Sequence, residues 1–436
     1  MLNYTESFLD KIEAKELKLA VVGMGYVGLP LAVAFAHAGF EVTGIDVVGD
    51  KVAALNRGDS YVEDVSNDAL RPLIEQGKLK ASTNYADLAS AEAIIICVPT
   101  PLRKTKDPDI SYIVAATEAI AEYGSIGKLF VLESTTYPGT TEEIVLPRLT
   151  TNGEVVGRDF FLAFSPERID PGRVDYVVYN TPKVVGGVTK NCLDAAVALY
   201  DTIVERTVPV SSTAAAEMVK LLENTFRAVN IGLINEMAIM CDKLGLDVWE
   251  VVNAAATKPY GYMPFYPGPG LGGHCIPIDP HYLSWKLRTL NYSARFIELA
   301  SDVNGHMPEY VLSKISTALN QYSKSVKGSR VLVIGVAYKP NVGDVRESPA
   351  IDVIQLLQER GAEVIYYDPY VSEIDLAKIP AERVELSEEN VKRANCVVII
   401  TNHDTIDWPW LFEHSQLIVD TRNALKDMDH DRIVRI

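Results

Sequence analysis

The 436-residue chain is short of positive charge: 41 Lys and Arg stand against 58 Asp and Glu, for a net charge of −17. This excludes nonspecific nucleic-acid binding and adhesion to an anionic membrane, and it requires any anionic ligand to be met by cations gathered locally. Long apolar runs are also missing. No stretch approaches the roughly 18 apolar residues of a spanning helix, and the N-terminus, MLNYTESFLDKIEAKE, is too acidic and polar for a signal peptide. A cytoplasmic protein is expected. There are five cysteines and no Cys-x-x-Cys spacing, which argues against structural zinc and for a reducing compartment. No metal is expected. Short repeats, low-complexity stretches and disordered linkers are absent too, and the length suggests two or three domains.

Against that background one stretch stands out, Gly268-Pro-Gly-Leu-Gly-Gly-His-Cys-Ile-Pro-Ile-Asp-Pro280. Four glycines and three prolines in thirteen residues rule out a helix or a central strand. The stretch is a shaped loop carrying a thiol (Cys275), an imidazole (His274) and a carboxylate (Asp279), with glycines through which another molecule can approach the backbone. The other cysteines lie in apolar strand-like runs (Cys97, Cys396) or helix-like ones (Cys192, Cys241) and read as core. Cys275 has no such setting and reads as a nucleophile.

Near the N-terminus, the apolar strand 18–22 runs into Gly23-Met24-Gly25-Tyr26-Val27-Gly28 and a helix to about Ala38, and a second strand, Glu41 to Ile45, ends in Asp46. Gly23 makes the turn, Gly25 admits a pyrophosphate to the backbone and Gly28 lets helix and strand pack closely. The helix N-terminus faces the phosphates, and Asp46 accepts the adenosine ribose hydroxyls. A carboxylate there repels a 2′-phosphate, so NAD is favoured over NADP. Strands follow at Ala93–Val98, Leu129–Leu132 and Lys183–Val185. Pro99-Thr100-Pro101, Glu133 to Gly139 and Ser165-Pro-Glu167-Arg168 should line one crevice at the carboxyl ends of the sheet. Among these, Thr136, Glu133 and Glu167 read as functional, and Ser134 and Thr135 as turn formers.

After a strand at Ile203–Val210, Ser211 to about Leu244 reads as one long helix capped by Ser211 or Ser212. On it Lys220, Asn224 and Arg227 share a face at i, i+4, i+7 spacing. Asp247–Ala256 and His281 to about Gln321 read as further helix. A second strand-turn-helix unit begins at Ser329–Ile334. It lacks the glycine fingerprint and carries Lys339, Arg346 and Arg422 at strand ends, where an anion would lie. Strands at Glu363–Tyr367, Cys396–Thr401 and Gln416–Asp420 complete it. The expected fold is α/β: two doubly wound Rossmann-like domains (1–210 and 322–436) joined by a helical region (211–321) with a long central helix and the cysteine loop. One domain would hold NAD and the other a phosphorylated ligand.

With these residues placed, the chain resembles the UDP-glucose/GDP-mannose dehydrogenase family over nearly its whole length. The resemblance is carried by Gly23-Met-Gly-Tyr-Val-Gly28, Cys97-Val-Pro-Thr-Pro101, Glu133-Ser-Thr-Thr136, Ser165-Pro-Glu167-Arg168, Lys220-Leu-Leu-Glu-Asn224, Gly272-Gly-His-Cys275-Ile-Pro-Ile-Asp279 and Tyr338-Lys339-Pro-Asn…Arg346-Glu-Ser-Pro. It implies oxidation of C6 of a nucleotide sugar from alcohol to carboxylate with two NAD. Cys275 would be the nucleophile. Asp279, with a water held by Lys220 and Asn224, would take the alcohol proton, and Lys220 would stabilise oxyanions. Thr136 and Glu167 would position the hydrolytic water. UDP-glucose enzymes of the family carry a second glutamate four residues after Glu167, where this chain has Pro171. Met24, Tyr26, Val27, Pro99, Thr100 and Thr136 join the cofactor set, as does Arg346. Lys339 and Arg346 would hold substrate phosphate or sugar, Tyr262 and Phe265 would flank the nucleotide, and Arg168, Arg227, Gly272 and Arg422 complete the UDP-sugar set. The forms of the motifs place the chain in the N-acetylhexosamine branch, nearest enzymes acting on UDP-N-acetylglucosamine, with UDP-N-acetylmannosamine and then UDP-glucose as alternatives. A catalytically silent scaffold would be expected to lack Cys275, Lys220 or Asp279. The long helix implies a homodimer or a higher homo-oligomer.

Overall fold

The computed structural model describes residues 4–62, 64–103, 107–169, 175–371 and 381–436. Pro171 lies outside them. The chain forms two compact units, 1–223 with 281–292, and 224–280 with 293–436.

The first unit is built on eight strands: β1 (Lys18–Val22), β2 (Glu41–Ile45), β3 (Leu79–Ser82), β4 (Ala93–Ile96), β5 (Leu129–Leu132), β6 (Phe161–Phe164), β7 (Lys183–Gly187) and β8 (Thr207–Val210). Their order is β3-β2-β1-β4-β5-β6-β7-β8. Strands β1 and β4–β6 are continuous apolar runs, buried nearly throughout because helices cover both faces. The order reverses between β1 and β4, which is where a doubly wound sheet opens its ligand crevice. All neighbours run parallel except β6 and β7.

The second unit repeats the plan in six parallel strands: β9 (Arg330–Ile334), β10 (Glu363–Tyr367), β11 (Glu382–Arg383), β12 (Cys396–Ile399), β13 (Ile418–Asp420) and β14 (Ile433–Arg435), in the order β11-β10-β9-β12-β13-β14. Its remaining helices include Val248–Ala256, capped by Asp247, and Arg295–Gln321.

Several strand ends shift by about two residues, β4 and β12 stopping at Ile96 and Ile399, and three further boundaries differ from expectation for a local reason. Strand β8 starts only at Thr207, because Ile203 and Val204 close the preceding helix with N–H bonds to the Tyr200 carbonyl. The long helix runs Thr213–Leu244, with the Ser212 hydroxyl accepting the Ala215 N–H as its cap. The helical stretch after the cysteine loop is two helices, Asp279–Thr289 and Arg295–Gln321, parted at Asn291, whose φ of 57° ends the first.

Candidate active site

In the first unit the glycine turn has the shape a dinucleotide needs. Gly23 sits at φ 94°, where a side chain would strike the Cys97 carbonyl at 2.5 Å, and a Cβ on Gly28 would fall 1.9 Å from the Gly23 carbonyl. A Cβ on Gly25 would meet nothing within 4 Å, so its bare backbone borders open space at the head of the helix Gly28–His37. Asp46, at the end of β2, accepts the N–H groups of Met24 (3.0 Å) and Val48 (2.9 Å), which turns its carboxylate toward the turn. These residues fit NAD. Met24 is buried and Tyr26 exposed. Thr100 is buried, with its carbonyl accepting the Tyr282 hydroxyl at 2.9 Å, beside an exposed Pro99.

The second unit shows why a similar plan need not take a dinucleotide. Gly335 repeats Gly23, with φ 78° and a would-be Cβ 2.3 Å from the Thr401 carbonyl. Asp368, the counterpart of Asp46, is fully buried and accepts N–H groups of Val336, Ala337, Tyr370 and Val371 as well as a 3.0 Å bond with His403. Burial alone would raise that carboxyl, but the bonds from His403 and the backbone outweigh it and hold it below its ordinary value. No oxygen of such a group is left for a ribose.

The cysteine loop belongs to this second unit. The Cys275 carbonyl accepts the N–H groups of Ile278 (3.1 Å) and Asp279 (2.8 Å), so the thiol stands on the turn that opens the helix Asp279–Thr289. Of the five cysteines it alone is not buried. The Asp279 carboxylate, 1% exposed, accepts the Asn224 amide at 2.6 Å. The glycines were expected to admit another molecule, but what approaches them is the chain itself. A Cβ on Gly268 would meet the Arg422 guanidinium at 2.5 Å, on Gly272 the Tyr338 Cβ at 2.6 Å, and on Gly273 the Tyr338 ring at 2.8 Å. The Gly273 N–H also donates to the Arg346 carbonyl at 3.0 Å. The loop is therefore moulded onto the strand-end segments that carry Arg422, Lys339 and the exposed Arg346. Arg346 is paired with Asp344 at 2.7 Å. Phe265 lies edge-on to Phe226 at 5.7 Å, and Tyr262 and Arg227 are exposed.

Two asparagines that the sequence reading passed over anchor this loop. Asn235 accepts the Gly268 N–H at 2.9 Å and donates to Asn304 at 2.8 Å, and Asn304 donates to the Ala228 carbonyl. Both are buried in mid-helix, where asparagine is a poor helix former, a signal that Asn224 shares. Asn235→Ala would leave a buried donor and a buried acceptor unpaired, and should cost about 2 kcal/mol of stability. Thermal unfolding, with hydrogen exchange at Gly268, would check it.

Back in the first unit, Lys220 is 8% exposed and donates to the Glu167 carbonyl at 2.7 Å. The Glu167 carboxylate accepts the N–H groups of Arg168 and Ile169 and lies 3.5 Å from the Lys183 ammonium. Lys183 also bonds Glu133 at 2.7 Å, and the Tyr200 hydroxyl donates to the other Glu133 oxygen. Burial pushes the Glu167 carboxyl up, but Lys183, the Ile169 N–H, Lys220 and the Arg168 N–H more than offset it, so it stays an anion. Thr136 is buried with its hydroxyl donating to Thr140 at 2.5 Å. Arg168 pairs with Glu223 at 2.6 Å and bonds the Pro182 carbonyl, and Ser134 spends its hydroxyl on the Ile96 and Val98 carbonyls. Lys183 and Tyr200 carry no sequence signal beyond a polar residue at the edge of an apolar run.

Among the described residues no helix is long and apolar enough to cross a membrane, and no cluster of three or more His, Cys, Asp or Glu could hold a metal.

Comparison with known proteins agrees with this geometry. The NAD binding domain of the UDP-glucose/GDP-mannose dehydrogenase family matches residues 17–204, its central domain 214–306 and its UDP binding domain 332–427. The chain is 34% identical to the UDP-N-acetyl-D-mannosamine dehydrogenase of Pyrococcus horikoshii, covering 94% of this chain and 96% of that protein. It is 39% identical to the UDP-N-acetyl-D-glucosamine 6-dehydrogenase of Pseudomonas aeruginosa, covering 83% and 85%. The solved structure of the Pyrococcus horikoshii enzyme superposes with a TM-score of 0.88 over 96% of this chain and 99% of that one. Glycine turn, acid-ended second strand, cysteine loop and second nucleotide-type sheet thus fall along the chain within the family's three domains in order, and the chain belongs to the UDP-glucose/GDP-mannose dehydrogenase family, a family of NAD-dependent nucleotide-sugar dehydrogenases.

Proposed function

We propose that the chain oxidises C6 of a UDP-N-acetylhexosamine, UDP-N-acetylglucosamine in the first place, to the carboxylate, supplying a cytoplasmic pathway to surface polysaccharide. The observation that carries this reading is the moulding of the Cys275 loop onto the segments bearing Lys339, Arg346 and Arg422. It joins the loop that carries the thiol to segments whose cations suit a diphosphate in an otherwise acidic protein. Held at the Gly23–Gly28 turn and Asp46, NAD would supply the hydride acceptor for both oxidations. Asp279, oriented by Asn224, takes the C6 hydroxyl proton through a water as the alcohol becomes aldehyde. The Cys275 thiolate then adds to the aldehyde carbon, and the thiohemiacetal loses the second hydride to become a thioester. Water attacks that carbonyl, the C–S bond breaks, and carboxylate and thiol are released. Lys220 stabilises the oxygen charge in both oxidations, and Thr136 and Glu167 place the hydrolytic water. UDP-N-acetylmannosamine is the second reading, favoured by the Pyrococcus horikoshii relative's match over nearly its full length. NADH release across a panel of UDP- and GDP-sugars, with product mass, separates the two readings. NADH release with GDP-mannose alone would contradict both.

The long helix supports a homodimer. Met218, Leu222, Phe226, Leu233, Met240 and Leu244 are exposed and, with half-buried Val229 and Met237, recur every three or four residues along its whole length. Such a stripe is the pattern of a helix with a second packing partner. Leu222→Asp combined with Leu233→Asp should sediment as a monomer where the wild type sediments as a dimer. A monomeric wild type at working concentration would contradict this.

A further inference from the structure

Strand β7 is the first in its sheet to run against its neighbour. The ladder pairs Ala163 with Gly187 and Phe164 with Gly186, and continuing that register sets Lys183 opposite Glu167. A strand that ran parallel to β6 would present its carboxyl end at the edge where β4, β5 and β6 finish. Because β7 is reversed, its first residue arrives there instead. The Lys183 side chain is 8% exposed, that of Glu133 is 0% and that of Glu167 is 11%. Lys183 therefore lies beneath the crevice, touching Glu133 and Glu167. Above it, the Glu167 peptide accepts the Lys220 ammonium.

We propose that Lys183 is a positioning residue for the oxidations: it clamps Glu167 and, through the Glu167 carbonyl, sets the ammonium of Lys220 where it meets the reacting oxygen. The proposal rests on the reading that Lys220 stabilises oxygen charge at C6. Glu133 and Tyr200 complete the clamp. Glu133 also holds Lys183, and the Tyr200 hydroxyl holds Glu133.

A purely structural Lys183 would neutralise two buried carboxylates and nothing more, and either role makes Lys183→Met destabilising, because buried acids are left unpaired. The charge-balanced variant Glu133→Gln/Lys183→Met separates the roles, since Glu167 keeps Lys220 and two N–H donors. Its Tm should return close to wild type, with NAD affinity by calorimetry unchanged. Its kcat should stay down by about 10²-fold, the scale of an ångström's misplacement, with a much smaller change in KM. Lys183→Arg keeps the charge with a differently shaped donor. It provides the same split should the double variant not accumulate, with Tm held and kcat lowered about tenfold. Wild-type kcat in either folded variant overturns the proposal. Lys220→Ala is measured alongside. If it is impaired while the Lys183 variants are not, only the clamp is wrong. If it turns over normally, the role given to Lys220 is wrong and the clamp falls with it.

Discussion

Cys275→Ala should abolish conversion of sugar nucleotide to carboxylate, by on the order of 10⁴-fold or more in kcat, with binding of NAD and substrate retained. The first oxidation needs only a hydride acceptor and a base. The second needs a hydride donor made from an aldehyde, and thiolate addition creates one. The loop is positioned to tolerate the change, because its shape is set by backbone bonds from Ile278, Asp279 and Gly273 and by the packing of its glycines on Tyr338 and Arg422. Supplied C6 aldehyde should no longer be oxidised efficiently. Cys275→Ser can still add to the aldehyde but leaves an oxygen ester, which hydrolyses more slowly than a thioester. The denatured protein should then carry a substrate-derived mass. The other four cysteines are buried, so such a mass should map to residue 275. Near-normal carboxylate production by Cys275→Ala would leave a hydrated aldehyde as the route to the second oxidation.

Lys220→Ala should lower kcat by about 10²–10³-fold, the range for loss of one donor to a developing oxyanion. It should slow alcohol and supplied aldehyde alike, because oxygen charge develops in both oxidations. This sets it apart from Cys275→Ala, whose defect falls on the aldehyde. The Lys220 ammonium is nearly buried and held by the Glu167 carbonyl, so it is already ordered for that task and little reorganisation is needed during the reaction. Single-turnover rates with each substrate would check this, and a defect confined to one of them would assign Lys220 to that step alone.

Residues whose chemistry is local were legible in the sequence. The first turn could be read because each of Gly23, Gly25 and Gly28 answers a steric demand within a few residues, and Asp46 follows at the end of the next strand. Cys275 could be read because no apolar period surrounds it. The glycines of its loop were legible as close approaches, but their partners, Tyr338, Pro349 and Arg422, are 65 or more residues away in sequence, a pairing that only the fold makes. The reversal of β7 was hidden for the same reason. A short Lys-Val-Val-Gly-Gly strand reads alike in either direction, yet its direction decides whether Lys183 reaches Glu133 and Glu167. The helix break at Asn291 was missed because asparagine at positive φ leaves no gap in an amphipathic pattern, and Asn235 and Asn304 because their partners are a distant backbone amide and each other.

The most direct test of the account is the yield of NADH per carboxylate formed when wild-type protein is given UDP-N-acetylglucosamine and excess NAD, with the sugar product identified by mass. Two NADH per UDP-sugar carboxylate, with no free aldehyde accumulating, is the expected result. Release of one NADH with aldehyde as the end product, or no NADH from any UDP-N-acetylhexosamine, would contradict it.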